Sequence, residues 1–266
     1  MDNLYLIKNK YLQVEVCTKA AEVHTFKCID DDYNYVWSGD EKYWRGRNPI
    51  LFPQVSSTDN KTTLINGISY PMGNHGFARN SIFKVEEVKE DEITLSLSEN
   101  EETLKQYPFK FKLSVNYKLV DKKLVITYTI KNNSDIVMPY GFGLHPAFAC
   151  PIDYKDTQII LEKEEEKFGN NIDITKQLFI DYPTVIIENY KSKYALLKTN
   201  NRILKIGLEG FKILGIWSQG PFVCIEPWMN LTDKDHGIEM KDRKGFMNLK
   251  PNEEIKFSYY WEKIEK

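Results

Sequence analysis

Polar and apolar residues alternate along most of this chain. Leu4 and Leu6, then Leu12, Val14 and Val16, share one parity with Lys, Asn, Gln and Glu between them. That period of two predicts a half-buried strand pair turning at Lys8-Asn9-Lys10. A third strand is predicted over 23–29, and the turn Asp30–Asn34 leads to Tyr35-Val36-Trp37 as a hairpin signal. Residues 83–88, 92–98, 110–120 and 123–131 all alternate, the last two joined at Asp121-Lys122 into a long antiparallel meander. Asn66-Gly67, between Leu64-Ile65 and Ile68-Ser69-Tyr70, predicts a type I′ hairpin turn. Further short strands are read at 158–161, 184–188, 195–197, 203–208, 213–217 and 222–228, with 255–264 closing the chain. Glu162–Lys167 is a charge run suited to a solvated edge. A single helical turn fits within 99–107, and no stretch sustains a 3.6-residue apolar period over three turns. The predicted class is all-β: one domain, residues 1–266, built mainly of two large antiparallel sheets packed face to face.

Composition narrows the function classes. Of 266 residues, 42% are hydrophobic and 13% aromatic, ample for a large core, while a net charge of −2 gives no reason to propose nucleic-acid binding. With no run of eighteen apolar residues and no basic-then-apolar start, a soluble cytoplasmic protein without a membrane segment is expected. Cys17, Cys28, Cys150 and Cys224 are scattered, which argues against a structural zinc site or a disulfide framework.

The alternation breaks at three places that carry ionisable groups. Tyr140-Gly141-Phe142-Gly143-Leu144-His145-Pro146-Ala147-Phe148 sets a histidine among small and aromatic residues. It fits a tuned proton-transfer group, or a core histidine satisfied by one hydrogen bond. Glu226 lies in Phe222-Val223-Cys224-Ile225-Glu226-Pro227-Trp228. A carboxylate in so apolar a strand is either a general base with a raised pKa or a structural group against an arginine. His75 sits in Gly73-Asn74-His75-Gly76-Phe77-Ala78-Arg79. Arg45, Arg47 and Arg79 could bind hydroxyls or anions, and Trp44, Trp217 and Trp228 could face a sugar ring or simply fill the core.

Asn74-His75-Gly76-Phe77-Ala78-Arg79, Gly141-Phe142-Gly143-Leu144-His145-Pro146 and Cys224-Ile225-Glu226-Pro227-Trp228, in that order, resemble the aldose 1-epimerase (galactose mutarotase-like) family, in its LacX-like branch. The resemblance runs from Ala21-Glu22-Val23 to the last strand. It implies a β-supersandwich and a cofactor-independent, metal-free isomerase that interconverts α and β anomers of a small-molecule sugar, as a monomer or homodimer. By resemblance Glu226 matches the general base and His145 the general acid. His75 and, loosely, Asp181 match sugar-binding positions, and Arg79, in the His75 motif, is expected to bind substrate with them. The branch carries Gly-Arg where this chain has Ser56-Ser57, and glycine where it has Asn230. Arg45, in Trp44-Arg45-Gly46-Arg47-Asn48-Pro49, resembles the Arg-Gly-Gly-x-Pro of the hexose-6-phosphate epimerase branch and is the expected replacement for the missing arginine. The rival expectation is a non-catalytic carbohydrate-binding or regulatory protein that retains the pocket.

Overall fold

A computed structural model describes residues 2–232 and 234–264. Its largest sheet has nine antiparallel strands. In spatial order they are Gly169–Asp173, Thr157–Glu165, Tyr194–Thr199, Arg202–Gly207, Glu254–Ile264, Lys123–Asn132, Phe111–Val120, Glu92–Ser98 and Lys84–Val88. The meander forms as expected: Leu124 opposes Leu119 and Ile126 opposes Tyr117, so the apolar parity of both strands faces inward. The closing segment does not end up at a sheet edge. Glu254–Ile264 inserts between Arg202–Gly207 and Lys123–Asn132, pairing with both.

A second sheet carries Val185–Glu188, Ile213–Gly220, Phe222–Trp228, Gly143–Leu144 and Ile50–Leu51, and Ala147–Ala149 also pairs with Phe222–Trp228. Every residue of Phe222–Trp228 is buried, with strands paired along both of its edges. The two sheets contribute side chains to one large buried cluster, including Leu113, Ile126 and Trp261 from the first and Leu214, Ile216 and Ile225 from the second. Burial of that many apolar side chains, each contributing about 1.5–3 kcal/mol, drives the packing.

Smaller pieces complete the fold. Leu4–Lys8, Leu12–Cys17 and Val23–Cys28 make a three-stranded sheet. Thr62–Ile65 and Ile68–Pro71 form the expected hairpin, with Asn66 at φ 51° and Gly67 at φ 77° in the turn. The Tyr35-Val36-Trp37 hairpin does not form as a ladder. Only Asn34 bridges back to Lys27, and Val36 crosses to bridge Phe148 instead. The capped turn Glu101–Leu104 is helical, with Asn100 accepting from the backbone N–H groups of Glu102 and Thr103. The alternation missed a second helix, Lys176–Asp181, capped by Thr175. No helix among the described residues is long and apolar enough to cross a membrane.

Candidate active site

The three pattern breaks converge. Glu226 projects from the central strand of the six-stranded sheet opposite Gly215, over which the Trp228 ring packs: a Cβ there would stand 2.6 Å from that ring. His145 follows Gly143–Leu144 and precedes Ala147–Ala149, and Ile225 N–H donates to Pro146 C=O at 3.1 Å. His145 Nε2 therefore lies 3.3 Å from Glu226 Oε2, both side chains almost wholly buried. Gly143 is needed here, since a Cβ would stand 2.7 Å from the Trp228 ring and from Val55.

Burial drives both groups toward their neutral forms. It pushes the Glu226 carboxyl well up, against the pull of the Trp228 indole and the Arg79 cation. It pushes the His145 imidazole well down, and His75 and Arg79 reinforce that. The two directions favour one proton shared between the pair: removing it leaves a buried net negative charge, and adding another leaves a buried net positive one.

His75 completes the group. Its ring stands perpendicular to that of His145, with centroids 5.6 Å apart. Its ring Nδ1 accepts from the Ser56 backbone N–H at 3.0 Å, and the His75 backbone N–H donates to Ser56 C=O at 2.9 Å. A neutral imidazole that accepts at Nδ1 carries its proton on Nε2. Burial, helped by Arg79, holds its pKa down to about 3. The unfolded chain protonates this histidine near its ordinary 6.5 while the folded one does not, so stability conferred by the site falls with pH. The stability difference between wild type and His75→Asn is expected to shrink by about 1.4 kcal/mol per pH unit from pH 6 to 4 in urea titrations. A pH-independent difference would contradict a His75 held neutral by the fold.

Around these groups lies a cavity of about 450 Å³, lined among others by Trp44, Ser56, Asn74, Arg79, Trp217, Gln219 and Trp228. Trp44 stacks on His145 (centroids 4.7 Å, planes 30° apart) and Trp217 meets it edge-on at 5.6 Å. Arg79 lines the cavity from the short 3-10 turn Ala78–Asn80 and makes no hydrogen bond or ion pair among the described residues. Burial lowers its pKa, while Glu22 and Glu226 act to raise it. The polar members Gln219 and Thr184 were missed by sequence reasoning. Gln219 sits where the ladder between Ile213–Gly220 and Phe222–Trp228 shifts register, a break invisible without the partner strand.

Two expected sugar-binding residues are not brought to this cavity. Arg45 extends outward from its loop, largely exposed and paired with Glu41 at 3.0 Å, and lines a separate cavity of about 340 Å³ with Arg47 and Lys19. Its neighbour Trp44 takes the inward position, so Arg45 does not stand in for the absent arginine in this arrangement. Asp181 ends the helix Lys176–Asp181, exposed, and accepts from Gln177 Nε2 at 2.8 Å. Thr184 and Ile186 reach the cavity from that side instead. Arg47, expected at the surface, is half-buried against the Ser38 carbonyl and His24.

The two departures from the branch pattern have structural readings. Ser56 adopts φ 66°, a conformation natural to glycine, and its contribution to His75 comes from backbone atoms alone. Asn230 is buried and accepts from Phe142 N–H at 3.0 Å, in space that a Cβ on Gly141 would close to 2.6 Å.

The profile of the Aldose 1-epimerase family matches residues 3–230. Protein LacX of Lactococcus lactis subsp. lactis is 28% identical over 95% of this chain and 97% of its own length. Among solved structures, a galactose mutarotase-like protein from Lactobacillus casei ATCC 334 superimposes with a TM-score of 0.91 at 27% identity, covering 98% of this chain and all of the other. A galactose mutarotase related enzyme from Lactobacillus acidophilus gives 0.90 at 30% identity, covering 100% and 98%. With a family match over most of its length and an all-β fold shared with both structures, this chain belongs to the aldose 1-epimerase family, in its LacX-like branch.

Proposed function

We propose that the protein interconverts the α and β anomers of a hexose or hexose derivative. The observation that carries this reading is the buried contact of Glu226 with His145 at 3.3 Å, facing a cavity with aromatic walls. The anomeric hydroxyl and the ring oxygen are bonded to one carbon, so the base for the first and the acid for the second must be near neighbours. Glu226, as carboxylate, takes the anomeric hydroxyl proton while His145 gives a proton to the ring oxygen. The C1–O5 bond breaks, C1 becomes an aldehyde, and C1–C2 rotation presents its other face. Reclosure reverses the two roles and returns both protons. The single proton favoured on the pair is the inventory this cycle needs. His75, with its proton on Nε2, and Arg79 supply donors for sugar oxygens.

The test is polarimetry or saturation-transfer NMR on freshly dissolved aldoses and their phosphates. At least one sugar is expected to equilibrate faster than in buffer. A second reading, binding without catalysis, is favoured by Ser56-Ser57 standing where the branch carries Gly-Arg. Calorimetric binding of a sugar that equilibrates only at the solvent rate would establish that reading and end the first.

A further inference from the structure

The pair has a third neighbour that anomerisation does not use. Cys224 lies two residues before Glu226 on one strand, so both side chains leave the same face. A His145 ring nitrogen, Cys224 Sγ and a Glu226 carboxylate oxygen all lie within 4.8 Å of one another. All three residues are buried, and Cys224 is a free thiol. His145 Nδ1 has no hydrogen-bond partner among the described residues, and Glu226 Oε2 has none beyond its 3.3 Å contact with His145 Nε2. Three ligand-type atoms brought together in a buried spot are more than packing requires.

The donor set selects the cation. Nitrogen, sulfur and one carboxylate oxygen suit zinc, whereas magnesium and calcium take oxygen ligands. Zinc bonds of about 2.0–2.1 Å to nitrogen and oxygen place those atoms roughly 3.3 Å apart in a tetrahedron, and Nε2 and Oε2 stand at 3.3 Å. Sulfur, at about 2.3 Å from the metal, must come to roughly 3.6 Å from the other two donors, from a spacing that is at most 4.8 Å. Three protein ligands leave the fourth position open to the cavity. A thiolate and a carboxylate together neutralise the dication, so the buried assembly gains no net charge.

We propose that His145, Cys224 and Glu226 form a zinc-binding site, and that zinc there excludes sugar from the catalytic pair. The exclusion rests on the function proposed above; the metal site itself does not. A second group, Cys28, Asp30 and Asp31, is the built-in comparison: Lys263 already pairs with both of its aspartates, at 2.6 and 3.5 Å.

Metal-free protein is titrated with cobalt(II) chloride, which reports thiolate ligation by near-ultraviolet charge-transfer absorption and tetrahedral geometry by strong visible bands. Both are expected, and zinc chloride should displace them. Cys224→Ser should weaken zinc binding by at least the roughly 10- to 100-fold that loss of an outer partner costs, while Cys28→Ser leaves the spectrum intact. His145→Asn carries the same test should Cys224→Ser fail to fold, as judged by circular dichroism. Absence of the bands, their survival in Cys224→Ser, or their loss in Cys28→Ser would overturn the site. In the anomer assay, zinc chloride should stop wild type reversibly to EDTA and spare Cys224→Ser. If no sugar is anomerised under any condition, the proposed function fails and the cobalt spectrum still decides the metal site.

Discussion

Glu226→Gln is expected to slow anomer equilibration by roughly 10²- to 10⁴-fold, the usual contribution of a positioned general base. That is about 2.7–5.4 kcal/mol of transition-state stabilisation. Gln keeps the shape of the side chain, and neither His75 nor Arg79 can take its role: His75 Nδ1 is occupied by Ser56 N–H, and Arg79 has no basic lone pair. His145→Asn should cost a similar factor. The double variant should cost little more than the worse single one, because base and acid act on the same proton inventory. Stability separates this from damage to the fold. Glu226 is a buried carboxyl whose charged form is disfavoured by desolvation, so a neutral amide there should melt no lower than wild type. Equilibration by Glu226→Gln at the wild-type rate would remove the residue from the mechanism.

Much of this site was legible because the surrounding strands are so regular. Alternation identified Phe111–Val120 and Lys123–Asn132 through the side chains that one face buries. Against that background the glycines beside His145 and the carboxylate at 226 stood out as breaks, and all three breaks meet in space. What alternation does not carry is strand order. Glu254–Ile264 ends between two strands from distant parts of the chain, and no local pattern encodes that. Nor does it carry side-chain direction in loops: Trp44 and Arg45 are adjacent, yet only the tryptophan turns into the cavity with His145 and Glu226. Asp181 lies away from the cavity for a related reason. The helix Lys176–Asp181 buries none of its residues, so it has no apolar stripe to reveal it, and its capping Thr175 was the one available signal.

Gly76→Ala is expected to destabilise the protein by about 2–5 kcal/mol, from roughly 1–2 for a left-handed backbone in an L-residue and 1–3 for overpacking. Gly76 has φ 69°, and a Cβ there would meet Phe52 O at 2.2 Å and Pro53 N at 2.7 Å. These are backbone atoms. Phe52 C=O also receives the N–H groups of Phe77 and Ala78 at 3.0 and 3.2 Å, so it cannot withdraw without losing both bonds. Gly67→Ala is the matched comparison: φ is 77°, but nothing lies within 4 Å of its Cβ position. It should pay the conformational term alone, so the melting temperatures of the two variants should differ by several degrees, at about 2–4 °C per kcal/mol. Activity adds an independent reading. Residue 76 follows His75, whose ring is held by Ser56 from one side, and a shift of about 1 Å in such a group can cost 10²-fold. Gly76→Ala should therefore lose kcat/KM even at temperatures where it remains folded, while Gly67→Ala keeps it. If the two variants melt together and turn over alike, the close approach of Gly76 to Phe52 is not what holds His75 in place.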